Sequence, residues 1–329
     1  MSSELPAPPT SSWINERPIS WVHRVCFYFL RWGSIPKHVA IVMDGNRRYA
    51  KKKYVEKVEG HQRGFAKLSE TLNWCLKLEV FEVTVYAFSI ENFKRNKEEV
   101  DTLMDLAKTK FKGLIDEWRK LREHGVCIRI IGNMTLLPKD LCTLMLIAML
   151  LTKDNKKGYL NIAFSYTGKD ELANTSTSIL QGLRKGDIKD IDVTEKFLDQ
   201  CLYTYQSPHP EILIRTSGEI RLSDFLTWQG SNSYVHFDNV LWPEFSAWNF
   251  ISAIFCYQHF ANKAIKNLQN EPKYQSSPES KKFVDSVQKE RMKILAELCN
   301  DNEHIDAEKF LSFTPEELYD YYKLYIHVE

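Results

Sequence analysis

The stretch His38-Val39-Ala40-Ile41-Val42-Met43-Asp44-Gly45-Asn46-Arg47-Arg48-Tyr49-Ala50 decides the fold. Val39 to Met43 is an apolar run long enough for one buried strand. It stops at Asp44-Gly45-Asn46, a turn signal with glycine where the backbone needs freedom. Arg47 and Arg48 follow at once, and the helix-compatible Ala50-Lys51-Lys52 comes next. A carboxylate, a glycine turn and paired guanidiniums at the mouth of a strand suit a phosphorylated ligand. The backbone N–H groups of a helix start favour anions, and arginine grips phosphate oxygens with two donors at once. Asp44 beside them would repel phosphate unless a cation lay between, which implies Mg²⁺. A plain β-turn leading into a solvated basic helix start is the other reading of the same residues.

Working outward, strands and helices alternate. Glu59 to Leu78 carries Phe65, Leu68, Leu72 and Cys75 at helical spacing, and Phe81 to Phe88 reads as a strand. Val100, Leu103, Met104, Ala107, Phe111, Leu114, Ile115 and Trp118 mark a long amphipathic helix. Strands are expected at Val126–Ile131, Tyr159–Phe164, Ile212–Ile214 and Tyr234–Phe237. Helices are expected from Pro138 to Leu151, Glu171 to Leu183 and Ala247 to Ala264. This pattern predicts an α/β fold, a mostly parallel central sheet flanked by helices. Beyond about residue 270 the chain turns polar, with Ser276-Ser277-Pro278 as a linker and helices at Lys281–Leu298 and Pro315–Tyr325. The expected divisions are 1–33, 34–265 and 266–329: a disordered start with a membrane-proximal amphipathic helix, a catalytic domain, and a helical C-terminal extension.

The chain has 329 residues, 43% of them hydrophobic, and a formal net charge of +1. Near-neutrality argues against a general nucleic-acid binder. Seven cysteines with no Cys-x-x-Cys spacing read as reduced thiols of an intracellular protein without a zinc site. The Ser/Pro-rich residues 1–12 read as disordered. Trp13 to Trp32 is dense in aromatics, but its unbroken apolar run Val25–Leu30 is far short of the ~20 residues of a membrane span. A helix lying on a membrane face and a helix packed on the protein's own core both fit.

Ligands of parallel sheets bind at the carboxyl ends of the strands. Four expected strand ends carry polar clusters: Asp44–Arg48, Ser89–Arg95, Ser165–Lys169 and Arg215–Ser223. Arg47, Arg48, Arg95, Arg215 and Arg221 are too many like charges to gather without anions to neutralise them. The expectation is a diphosphate-binding cleft.

Asp44 to Ala50, Gly60-His61, Tyr86 to Arg95, Ile214 to Ser223 and Trp242-Pro243-Glu244-Phe245 resemble, in order, the signature regions of cis-prenyltransferases. The match spans roughly 34–260. It is nearest to the catalytic subunits of eukaryotic dehydrodolichyl diphosphate synthases, at the endoplasmic reticulum membrane. Members of this family condense isopentenyl diphosphate repeatedly onto farnesyl diphosphate. The resemblance implies that Asp44 coordinates Mg²⁺ on the allylic diphosphate, that Gly45, Arg47 and Arg48 hold that diphosphate, and that Asn46 is among the substrate-binding residues. It places Arg95 near both substrates, gives isopentenyl diphosphate to Arg215, Arg221 and Ser223, and has Asn92 and His61 assist chemistry or positioning. A helix-start histidine bonded to backbone remains the alternative for His61. Ile220 and Tyr234 stand where bacterial relatives carry a metal-assisting His and Glu. Lys57 and Lys169 stand where Arg is common.

Phe65, Leu68, Leu72 and Trp74 on one helix, with Leu103, Met104, Ala107 and Phe111 on another, are candidates to line a product tunnel. A non-catalytic interaction subunit on the same fold would lack the Asp44–Arg48 cluster, and a hydrolase would need a nucleophile or metal-held water that no motif supplies. Single-subunit relatives reach across their dimer with a C-terminal Arg-x-Gly. Here the last glycine is Gly230, so the expectation is a Nogo-B receptor-like partner that supplies this element.

Overall fold

A computed structural model describes residue 13 and residues 19–268, 277–299 and 307–326. The expected disorder of residues 1–12 lies outside the described residues. Six strands form one parallel sheet: β1 (His38–Val42), β2 (Glu82–Ser89), β3 (Val126–Ile131), β4 (Gly158–Tyr166), β5 (Ile212–Arg215) and β6 (Tyr234–Phe237), in the order β3-β4-β2-β1-β5-β6. Every expected strand is present, and β4 runs two residues further than its periodicity marked.

The strand period of two puts alternate residues on opposite faces. Val39 and Ile41 of β1, with Ile212 and Ile214 of β5, pack into a large core on one face. Ala40, Val42 and Leu213 join Tyr166, Phe225 and Leu226 in a smaller core on the other. Both faces are therefore covered, which is why Val39–Val42 of β1 and Ile212–Ile214 of β5 are apolar without alternation.

The helices are α1 (Trp21–Leu30), α2 (Asn46–Lys53), α3 (Lys57–Lys77), α4 (Lys97–Asp116), α5 (Trp118–His124), α6 (Lys139–Thr152), α7 (Gly168–Lys185), α8 (Glu195–Cys201), α9 (Ala247–Leu268), α10 (Pro278–Cys299), α11 (Ala307–Ser312) and α12 (Pro315–Tyr325). The long amphipathic helix expected to reach Trp118 breaks at Glu117, where α4 gives way to α5. Sequence periodicity did not mark α8 or α11, each of seven residues or fewer. Apolar on every side, α6 is the buried hub of the large core, as such a helix must be. It packs against α4, α5 and β3 on one side and α10 and α12 on the other. Leu295, Phe310, Leu318 and Tyr322 of the C-terminal helices belong to that same core.

Among the described residues all seven cysteines are free thiols. No helix there is long and apolar enough to cross a membrane. Helix α1 packs on α9 through its buried Phe27 and Leu30, while Trp21, Val25, Tyr28, Phe29 and the following Trp32 stay exposed. Packing on the core and an outward apolar face thus coexist. Trp13 is separate from α1: it is buried edge-on against Phe65 with ring centroids 4.7 Å apart, and its Nε1 donates to the Lys110 carbonyl at 2.8 Å.

Candidate active site

The chain leaves β1 for β2 on one side and returns later to β5 on the other, so a crevice opens beyond the carboxyl ends of these strands. Asp44 lies two residues past β1. Gly45 follows at φ +108, and a Cβ there would come within 3.0 Å of Leu241. Only glycine suits that turn. Helix α2 then starts and lies tightly on α3, because Gly60 and Gly64 carry no side chains; a Cβ at Gly64 would sit 2.3 Å from Asn46 Oδ1.

One buried guanidinium organises the crevice. Arg215, the last residue of β5, is 3% exposed. Its Nη2 donates to Asp44 Oδ2 at 3.0 Å, and its Nη1 donates to Ser223 Oγ at 2.7 Å and to the Arg221 carbonyl. Arg48 Nη2 lies 3.5 Å from the same Asp44 oxygen, and Asp44 Oδ1 accepts the Gly45 N–H at 2.7 Å. Partial burial works against ionisation of Asp44. The Arg215 hydrogen bond and charge, helped by Arg48 and the Gly45 N–H, more than offset it and hold the carboxyl below its usual range. Thr216 Oγ1 accepts the Asp44 N–H at 3.1 Å and donates to the Asp44 carbonyl at 2.8 Å, tying the end of β1 to β5.

Two carboxylates share the remaining cations. Arg48 donates to both the Oγ and the carbonyl of Ser217, and both Arg48 and Arg221 pair with Glu219. Arg47, Arg95 and Lys57 all converge on Glu99. The loop after β5, which carries Ser217, Glu219 and Arg221, is strained. Ser217, Ser223, Asp224 and Leu226 all have positive φ, between 45° and 81°. Such backbone persists where the surroundings over-determine it. Here Tyr86 Oη donates to the Ser223 carbonyl at 3.4 Å, and the Gly168 N–H donates to the Asp224 carbonyl at 2.7 Å.

Asp44, Gly45, Asn46, Arg47, Arg48, His61, Asn92, Arg95, Arg215, Arg221 and Ser223 all line one cavity of about 1310 Å³. Asn46 is turned toward α3, and its Nδ2 donates to the Met43 carbonyl at 3.4 Å. Asn92 Oδ1 accepts the Ser89 N–H at 3.0 Å, so any contribution it makes to the cleft falls to its Nδ2. The buried Nε2 of His61 has no hydrogen-bond partner among the described residues. Desolvation, then the nearby positive charge of Arg95, lowers its pKa to about 4, so the ring is neutral. Lys169 also lines the cavity, whereas Ile220 is 81% exposed and Tyr234 stacks on Phe260. Trp242 does not touch ligand space alone: its Nε1 donates to the Gly64 carbonyl at 2.7 Å and its N–H to the Asp44 carbonyl at 3.0 Å, clamping α3 to the strand end.

Behind the polar rim the cavity turns apolar, with Phe65, Leu68, Leu103, Ala107 and Phe111 in its wall as expected, joined by Trp13, Phe88 and Phe164. Trp74 instead packs on Phe245 and Phe250, and Leu72 lines a separate cavity of about 310 Å³. Glu99, Thr216 and Ser217 had no role in the sequence reading. The Arg95-x-x-x-Glu99 spacing was the available signal for Glu99.

Among the described residues no group of three or more His, Cys, Asp and Glu side chains could hold a metal alone. A single carboxylate at the rim of an anion cleft does fit Mg²⁺, which keeps waters and is completed by substrate phosphates.

An arginine-rich cleft at the strand ends above an apolar cavity suits a ligand with an anionic head and a hydrocarbon tail. A family model for undecaprenyl diphosphate synthase, a prenyltransferase, matches residues 42–264. The dehydrodolichyl diphosphate synthase complex subunits of Homo sapiens and Mus musculus are each 54% identical over 247 residues, covering 75% of this chain and 74% of theirs. The corresponding complex subunit of Schizosaccharomyces pombe is 38% identical over 268 residues, covering 80% of this chain and 98% of its own. The crystal structure of lavandulyl diphosphate synthase from Lavandula x intermedia, in complex with dimethylallyl diphosphate, superposes with TM-score 0.65 at 30% identity, covering 68% of this chain and 95% of that one. The chain belongs to the cis-prenyltransferase family, the family of undecaprenyl diphosphate synthase, and is a transferase.

Proposed function

We propose that this chain is the catalytic subunit of a dehydrodolichyl diphosphate synthase, extending farnesyl diphosphate with isopentenyl diphosphate into a long cis-polyprenyl diphosphate. The observation that carries the reading is the convergence of Asp44, Arg47, Arg48, Arg95, Arg215 and Arg221 on one rim of a cavity whose far wall is apolar. A diphosphate fits the rim and a growing hydrocarbon fits the wall. Residues 34–265 are the catalytic domain in this reading. Residues 266–329 are the helical C-terminal extension, whose α10 and α12 buttress α6.

Arg47, Arg48 and Arg95 hold the allylic diphosphate beside Asp44, with Gly45 and Asn46 giving it the start of α2. Arg215, Arg221 and Ser223 take isopentenyl diphosphate. Asp44 is the residue that would hold Mg²⁺, which would supply positive charge where negative charge develops. The allylic C–O bond breaks with its electron pair going to the diphosphate. The π pair of isopentenyl diphosphate forms the new C–C bond, and loss of a proton leaves a new double bond. The arginines are already in place for that charge, so they stabilise it with little reorganisation. No side-chain nucleophile takes part. His61 and Asn92 position the reacting groups, and a neutral His61 adds no charge to the already cationic rim.

Two further readings rest on less. The names of the human, mouse and fission-yeast relatives, each a complex subunit, support a second, different subunit, which we take to be Nogo-B receptor-like and to complete the diphosphate cleft with an Arg-x-Gly. The exposed Trp21, Tyr28, Phe29 and Trp32 support peripheral contact with a membrane, at the cytoplasmic face of the endoplasmic reticulum.

The test is incubation of the purified chain with labelled isopentenyl diphosphate, farnesyl diphosphate and Mg²⁺, with and without the partner. Long labelled polyprenyl diphosphate, increased by the partner, is expected. No labelled product in either arm would sink the reading. Full turnover of the single chain, unchanged by partner, would leave the chemistry standing and remove the partner.

A further inference from the structure

Lys57, Arg47 and Arg95 come from the starts of α3 and α2 and from the turn before α4, and all three line the cleft. Behind them, outside the cavity lining, sits Glu99. Its side chain is only 11% exposed. Oε1 accepts from Arg95 Nη1 at 3.1 Å and from Arg47 Nη1 at 3.4 Å, and Oε2 pairs with Lys57 Nζ at 2.8 Å. Both oxygens are thus committed to cations that face the ligand space. Glu99 is itself fixed: it lies in the first turn of α4, and its N–H donates to the side chain of Asn96, the residue that caps the helix, at 3.0 Å. A carboxylate in the first turn of a helix is favoured by the helix dipole.

The geometry points to Glu99 as a positioning residue, one that touches no substrate and aims Arg47, Arg95 and Lys57 at the allylic diphosphate. This rests on the proposed function for the identity of the ligand, but not for the arrangement of the cations. Without Glu99 three positive side chains from separate segments would repel one another and spread into solvent. Each would then have to be gathered by the diphosphate itself, at a cost in side-chain order. Burial opposes ionisation of Glu99, but the Lys57 hydrogen bond and the charges of Arg95 and Arg47 prevail and lower its pKa, so the carboxylate is charged whenever the enzyme works.

A pure counter-ion role makes the opposite prediction. If Glu99 only neutralised the rim, Glu99→Gln would raise the positive potential and tighten anion binding. If it aims the cations, Glu99→Gln should weaken binding on the order of tenfold, the scale seen when a group that orients ligating side chains is removed.

Two measurements on the full-length protein decide this. Calorimetry with inorganic pyrophosphate compares wild type, Glu99→Gln and Glu99→Asp, with thermal melts as the folding control. Steady-state kinetics then separate KM for farnesyl diphosphate from KM for isopentenyl diphosphate. Weaker pyrophosphate binding in Glu99→Gln, with KM for farnesyl diphosphate raised far more than KM for isopentenyl diphosphate and Glu99→Asp in between, is expected. Unchanged or tighter pyrophosphate binding, or equal changes in both KM values, overturns the positioning role. If wild type makes no polyprenyl product, the functional reading fails, and the pyrophosphate titration still decides Glu99. Should Glu99→Gln not fold, Glu99→Asp alone must still shift the pyrophosphate affinity downward or the inference falls.

Discussion

Replacing Asp44 by Ala should separate the chemistry from the scaffold. Asp44 Oδ2 is the counter-charge of Arg215, 3.0 Å away. Arg215 is 3% exposed, so removing its partner leaves a buried guanidinium short of charge. For a fully buried pair that costs about 3–5 kcal/mol. The Asp44 side chain is 33% exposed, however, and water can replace much of it. Arg215 also keeps Ser223 Oγ and the Arg221 carbonyl as acceptors. Screening and these remaining bonds reduce the loss to about 1–2 kcal/mol. The protein should stay folded, with a melting temperature lower by a few degrees, at roughly 2–4 °C per kcal/mol. Turnover should fall far more, by on the order of 10²–10³, the effect of losing one group that stabilises developing anionic charge. The two substrates give a further sign. Without Asp44 the guanidinium of Arg48 loses a competitor for the allylic diphosphate, so KM for farnesyl diphosphate should hold or fall while kcat collapses. Single-turnover assays at saturating Mg²⁺, beside thermal melts, measure all three quantities. Near-normal kcat in a folded Asp44→Ala protein would refute the assignment, and a protein that does not fold would make Asp44 primarily a structural ion-pair partner.

Arg221 pairs with Glu219, and its side chain is 63% exposed. Arg221→Ala should therefore leave the melting temperature nearly unchanged and raise KM for isopentenyl diphosphate more than for farnesyl diphosphate. Arg221→Lys should be impaired too, because an ammonium cannot copy the two-donor fork; equal effects on both substrates would argue against separate subsites. Gly45→Ala forces a Cβ into a φ +108 backbone and against Leu241, at about 1–3 kcal/mol of strain; a melting temperature equal to wild type would show that the turn can rearrange. His61 carries a lowered folded-state pKa of about 4 against 6.5 unfolded, so the unfolded chain takes up its proton first as pH falls. Stability should be full above pH 6.5 and decline toward pH 4. His61→Asn should flatten that decline by on the order of 1–3 kcal/mol, as denaturant titrations at pH 7 and pH 5 would register; parallel decline in both proteins would place the ring in a solvated, unshifted state.

The strand-end clusters were legible because the parallel sheet is a strong constraint. Asp44 and Arg215 lie 171 residues apart, yet each falls at the carboxyl end of a short apolar run. Once both runs are strands of one parallel sheet, their ends share an edge and the polar residues meet. The alternation of Val39, Ala40, Ile41 and Val42 between two cores follows equally from the strand period. The Leu141–Leu151 stretch, apolar but for Thr143, was readable as a helix too short to span a membrane. What covers it was not, because α10 and α12 carry ordinary surface-like amphipathicity whose apolar side has no address in the sequence.

Glu99 escaped sequence reading because its role depends on helix rotation rather than on a strand end. Glu99 is one more carboxylate in an acidic first turn, beside Glu98, and only its i,i+4 spacing from Arg95 sets it apart. The rotation of α4 is set by its apolar stripe of Met104, Ala107, Phe111 and Leu114 against the core. Counting back four residues from Leu103 places Glu99 about 40° from the edge of that stripe, while Glu98 lies about 100° further round, toward solvent. The same helix therefore fixes both ends of the cavity with one rotation. Leu103, Ala107 and Phe111 form the apolar wall, and Glu99 gathers Arg47, Arg95 and Lys57 at the polar rim. A change that turned α4 on its axis would disturb hydrocarbon and diphosphate sites together. Substitutions at Met104, which lies in the core and outside the cavity lining, should accordingly alter the handling of diphosphate without touching it.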